Sequence, residues 1–150
     1  MAVFVINEWI WADLSGQNGR ELQVESLLII ERLPKMDHQI VIVEGSSFDK
    51  KAWGLCSNSN EMVIQAIGGA FVANIRQDSD RCLILKPESL PRVPDDLASA
   101  TKEDDHYLLQ AVLSIPGATL VTTDEPLRLA VGAVGLLCLS RTEFLALIRD

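Results

Sequence analysis

Five short apolar runs rich in Val, Ile and Leu recur along this chain, and helical stretches separate them. The runs are AVFVI (2–6), HQIVIVEG (38–45), RCLILK (81–86), ATLVTT (118–123) and GLLCLS (135–140). Runs of this length, apolar on consecutive residues, read as strands covered on both faces. Between and after them lie ESLLIIERL (25–33), SSFDKKAWGL (46–55), NEMVIQAIGGAFVANI (60–75), DDHYLLQAVLSI (104–115), EPLRLAVGA (125–133) and RTEFLALIRD (141–150). Helical spacing, Ser at helix starts and Pro just beyond helix ends mark these as helices. The alternation predicts the α/β class: a three-layer α/β/α sandwich, Rossmann-like, with a mostly parallel sheet of four or five strands. Right-handed crossovers place every strand's carboxyl end on one edge. Sites in open α/β sheets form outside that edge. Asn7, Glu44 and Asp124 fall at or just past such strand ends.

Two segments interrupt the pattern. Gly68, Gly69 and Ala70 are small enough for close packing, and the Gly pair predicts a kink in its helix. PESLPRVPDDLASATKEDD (87–105), with three prolines, predicts a long loop. That stretch lies inside the alternation, so residues 1–150 form one expected domain.

Composition narrows the function classes. With 48% hydrophobic and 23% charged residues, the chain is not intrinsically disordered. Its 150 residues are enough to bury a core without disulfides. Cys56, Cys82 and Cys138 have no CxxC spacing and read as reduced, mostly buried thiols. A net charge of −8 argues against a broad electrostatic grip on nucleic acid. It leaves room for an acidic pocket that handles phosphate through a metal. No window reaches the roughly 18 apolar residues of a membrane helix. The start, MAVFVINEW, lacks a signal-peptide pattern, so a cytoplasmic location is expected.

The common catalytic motifs are missing. Nothing matches a Gly-rich phosphate loop, and no serine sits in a GxSxG elbow. His38 and His106 have no metal spacing with the cysteines. Acids remain, and the informative pair is Asp105, opening a helix, and Asp124, closing the next strand. Carboxylates are the ligands that Mg²⁺ and Mn²⁺ prefer. An ion held by two or three of them lowers the pKa of a bound water and steadies charge on a phosphate. Each acid also has a structural reading, as an N-cap or first-turn carboxylate favoured by the helix dipole. Spacing alone leaves both readings open.

Residues 103–150 resemble the C-terminal half of a PIN domain. The stretch EDDHYLLQAVLSIPGATLVTTDEPLRLAVGAVGLLCLSRTEFLALIRD carries, in order, an acid opening a hydrophobic helix, a GA turn, a strand ending in Thr-x-Asp and a closing helix at RTEFLALI. Asp105 falls on the helix acid, and Thr122 and Asp124 fall on the Thr-x-Asp. The resemblance implies a metal-dependent ribonuclease with Asp105 and Asp124 as Mg²⁺ or Mn²⁺ ligands and Asp104 assisting. It further implies single-stranded RNA as substrate, an antitoxin-type protein partner and a homodimer.

The N-terminal half departs from the family pattern. Asn7 takes the place of the family's Asp after the first strand, and Trp9 the place of its Asn. Lys50 or Lys51 stands where a helix Glu is expected, and Pro126 replaces an optional acid. Glu8, Asn7 and Glu44 are then the candidates to complete the catalytic site, with Asp49 another nearby acid. The departures motivate an alternative, a catalytically degenerate PIN-fold module that binds RNA or protein. A third reading is a Rossmann-like domain with a small-molecule site at the same edge. Trp9, Trp11 and Trp53 could stack on bases, although core or interface packing explains them as well. Lys50, Lys51, Arg76, Arg81 and Arg92 could track phosphates or simply be solvated charges.

Overall fold

The computed structural model describes residues 1–58 and 60–150. Its five strands are β1 (Val3–Ile6), β2 (Gln39–Val43), β3 (Cys82–Leu85), β4 (Thr119–Val121) and β5 (Leu137–Leu139). All pair in parallel in the order β3-β2-β1-β4-β5. The eight α-helices are α1 (Trp9–Leu14), α2 (Arg20–Arg32), α3 (Ser47–Asn58), α4 (Met62–Phe71), α5 (Asp95–Ala100), α6 (His106–Ser114), α7 (Glu125–Ala133) and α8 (Arg141–Arg149). The chain is thus a three-layer, Rossmann-like α/β/α sandwich.

Two cores form because strand side chains alternate between faces. Phe4, Ile6, Ile40, Ile42 and Val121 point to one side, where they meet α1, α2, α3, α4 and α8. Val5, Val41, Val43 and Leu120 point to the other, against α5, α6 and α7. Both faces are therefore apolar, which is why the strands appear in the sequence as continuous hydrophobic runs. Among the described residues no helix is long and apolar enough to cross a membrane.

Two local expectations are corrected, and one helix lay outside them. The Pro-rich stretch is not an open loop: it holds single 3₁₀ turns at Pro87–Ser89 and Glu103–Asp105, and α5 between them. Pro94 precedes α5, Asp95 and Asp96 favour its first turn, and buried Leu97 anchors it to the second core. Helix α1 follows β1 directly, with both of its tryptophans buried. The Gly pair produces no break either: α4 runs through it and widens to a π turn only at Val72–Arg76.

Close packing explains Gly68. A Cβ there would lie 2.5 Å from the backbone nitrogen of Cys56 and 2.7 Å from the carbonyl carbon of Leu55, so α3 and α4 touch backbone to backbone. Gly68→Ala should therefore destabilise by about 1–3 kcal/mol through overpacking. At Gly69 a Cβ meets nothing within 4 Å, and Gly69→Ala should be neutral or stabilising through helix propensity. Thermal unfolding of the two variants checks the contrast; equal melting temperatures would contradict it.

Candidate functional site

Strand order reverses between β1 and β4, and the crevice outside their carboxyl ends is where a doubly wound sheet takes ligands. Asn7 leaves β1 there, its backbone N–H donating to Val121 O at 2.9 Å. Its side-chain amide donates to Thr122 Oγ1 at 2.9 Å, while its Oδ1 accepts the Glu8 backbone N–H at 2.7 Å. Thr122 is fully buried and its hydroxyl oxygen also accepts the Asp124 N–H at 3.1 Å. The Thr-x-Asp spacing thus has a mechanical meaning: the Thr hydroxyl ties the turn after β4 to the turn after β1.

Asp124 and Asp105 differ in what they do for their helices. Asp124 is the N-cap of α7, with Oδ1 accepting the Leu127 N–H at 3.1 Å. Asp105 stands at the N-cap position of α6 but makes no side-chain cap. Among the described residues no donor meets its carboxylate. Burial raises the Asp105 carboxyl above its ordinary range, and the charges of Asp124, Glu8 and Asp104 raise it further, opposed by Lys102. The structure therefore brings Asp105 into the electrostatic field of Asp124, Glu8 and Asp104. The cap role accounts for one oxygen of Asp124 and for nothing at Asp105.

Glu8 is held in the opposite sense. Its Oε1 meets Lys51 Nζ at 2.6 Å and Ser47 Oγ at 2.8 Å, and its Oε2 accepts from the Tyr107 hydroxyl at 2.8 Å. Burial alone would raise this carboxyl, but the hydrogen bonds from Lys51, Ser47 and Tyr107 hold it below the usual range. Burial and the Glu8 charge push the Tyr107 hydroxyl up, so it stays a donor. Glu44 pairs with Lys86 at 2.6 Å. Asp49 is buried and locked by Arg76 Nε at 2.8 Å and by the Gly45 N–H at 2.9 Å. Among the described residues no three His, Cys, Asp or Glu side chains are grouped so as to hold a metal ion.

The raised Asp105 carboxyl has a stability consequence. The folded state holds this proton at a pH where the unfolded chain, near the ordinary value of 3.8, has released it. Folding stability therefore falls as pH rises through that window, and ionised Asp105 is a standing cost at neutral pH. Asp105→Asn should raise the melting temperature at pH 7, with the gain shrinking as pH is lowered toward 3.8. A variant less stable than wild type at pH 7 would contradict this.

Several residues escaped sequence reading. Tyr107 bridges to Glu8 across 99 residues, and no local pattern announces it. Asp13 is buried and bonds Arg141, Ser26 and Asn18 beneath the same end of the molecule. Trp9 and Trp11 are buried, and the Trp9 indole N–H donates to Val121 O at 3.1 Å, whereas Trp53 is half exposed with Arg76 over its ring. Fold and crevice together define a Rossmann-like α/β/α domain with Asp124 at its topological switch point and the Asp105 carboxyl within reach of its charge. In comparisons with known proteins, no family model matches this chain and no curated protein matches it.

Proposed function

We propose that this chain is a PIN-like, metal-dependent ribonuclease that cleaves single-stranded RNA at the Asp105–Asp124 crevice. The observation that carries the reading is the Asp105 carboxylate: at a helix N-cap it caps nothing, accepts no hydrogen bond among the described residues, and lies in the field of Asp124. A partly buried, unpaired carboxylate beside another fits a bound cation better than any structural role. Two carboxylates also suit Mg²⁺ or Mn²⁺, ions that keep several waters and share their remaining positions with substrate phosphate. When bound, such an ion supplies a water of lowered pKa and neutralises phosphate charge.

The chain's own residues do the positioning. Asp105 and Asp124 would hold the ion, with Asp104 adding negative charge at the rim. Thr122 and Asn7 fix the Asp124 turn, and Asn7 brings polarity without charge. Glu8, ionised and clamped by Lys51, Ser47 and Tyr107, lines the crevice as an acid already paired with a lysine. Incubating single-stranded RNA with the protein and Mn²⁺, Mg²⁺ or EDTA tests the reading. Cleavage with either ion and none with EDTA is expected; intact RNA under all three conditions would end it.

A second reading is favoured by one observation, the Lys51–Glu8 pair at 2.6 Å. With Glu8 neutralised and Asn7 uncharged, the crevice has fewer free carboxylates, and ligand charge sets affinity for hard cations. In that case the fold serves as an RNA-binding module without cleavage.

A further inference from the structure

A cavity of about 810 Å³ opens beside the crevice, between α1, α3 and the start of α4. Glu8 and Lys51 line it as well, so it begins where the acid site ends. Trp11, Leu55 and Ile64 give it an apolar wall, and Lys50 stands among its lining residues. We propose that this groove binds one nucleotide of a single-stranded RNA, its phosphate on Lys50 and its base against the apolar wall. The inference rests on the RNA reading above and extends it to where the strand lies.

Size, charge and position carry it. The volume falls within the roughly 300–1,000 Å³ of small-ligand sites, which suits a nucleotide. Of the two lysines lining the groove, charge singles out Lys50. Arg76, Lys86 and Arg92 pair with Asp49, Glu44 and Asp95, and Lys51 pairs with Glu8. Arg81 bonds the carbonyls of His38 and Asp80. Lys50 is exposed and, among the described residues, has no acidic partner. On a chain of net charge −8, a polyanion must be gripped by local cations. Position does the rest: a strand anchored at Lys50 runs past Lys51 and Glu8 to the Asp105–Asp124 crevice.

The test measures binding apart from cleavage. A 5′-fluorescein-labelled single-stranded RNA 8-mer is titrated in EDTA at several salt concentrations, and fluorescence anisotropy is followed. Lys50→Gln should weaken binding several-fold and flatten the slope of log K against log salt by about 0.7, the value for one phosphate contact on a single strand. Gly54→Leu is the second variant. Gly54 lines the groove, and a Cβ there meets nothing within 4 Å, so a larger side chain starts in open space and narrows the cavity. Its helix position favours the change, so folding is retained. It should weaken binding about tenfold, on the order of one lost base contact, and leave the slope unchanged. Wild-type affinity in both variants would overturn the proposal, as would absence of RNA binding by wild type. The two readings fail separately. Mn²⁺-dependent cleavage with unaltered binding in both variants removes the groove and keeps the nuclease. Groove-dependent binding without cleavage does the reverse.

Discussion

Arg141→Met should destabilise the protein by about 3–5 kcal/mol, the effect of stranding a buried charge. Asp13 is 1% exposed and its Oδ2 lies 2.6 Å from Arg141 Nε. The same oxygen accepts from Ser26 Oγ at 2.6 Å, and Oδ1 accepts from Asn18 at 2.7 Å. The guanidinium also donates to Leu22 O at 3.3 Å and sits over the Trp9 ring at 5.8 Å. Without it the carboxylate keeps two neutral donors and loses its counter-charge. Asp13→Asn added to Arg141→Met should recover part of the loss, because removing both charges leaves only packing defects. The exposed pair Arg92–Asp95 supplies the comparison: Arg92→Ala should cost at most about 1 kcal/mol. Denaturant unfolding of the set measures this, and equal effects for Arg141 and Arg92 would contradict it.

If the proposed nuclease reading holds, Asp124→Asn should abolish most RNA cleavage while leaving the fold intact. An Asn oxygen still caps α7 by accepting the Leu127 N–H, since Asn and Asp are comparable N-caps. What disappears is the negative charge beside Asp105. Losing one of two carboxylate ligands should remove roughly 3–4 kcal/mol of transition-state stabilisation, about 10²- to 10³-fold in rate. The substitution therefore separates the observed cap from the proposed ligand role. An active, stable Asp124→Asn protein would leave Asp124 as a cap alone.

The architecture was legible because both faces of the sheet are buried. Each strand needed consecutive apolar residues, and the periodicity shift to the helices marked the boundaries. Elements held by tertiary contact were not legible. Helix α1 is six residues long and owes its place to Trp9 and Trp11 in the first core, too short a stretch for periodicity to mark. Helix α5 was hidden by the prolines that precede it, the last of them, Pro94, at its N-cap. For the proposed site, Asp105 and Asp124 stood out as candidates because the order acid, helix, strand, acid lies within one short stretch, while spacing alone left their cap roles equally open. The state of Glu8 could not, since it depends on α3 and α6 delivering Lys51, Ser47 and Tyr107 to one carboxylate. Glu44 ends a strand as Asn7 does, yet it pairs with Lys86 beside the sheet-edge strand β3 instead of joining the crevice. A strand-end position alone does not say which neighbour a side chain meets.

Thermal unfolding followed during Mn²⁺ titration tests the cation site most directly, without requiring a known RNA. A ligand that binds only the folded state stabilises it by about 2.7 kcal/mol at a hundredfold excess over its dissociation constant. The wild-type melting temperature should climb with Mn²⁺, and those of Asp105→Asn and Asp124→Asn should stay flat. A wild-type protein indifferent to Mn²⁺, or variants that climb as steeply as wild type, would contradict a cation held between Asp105 and Asp124.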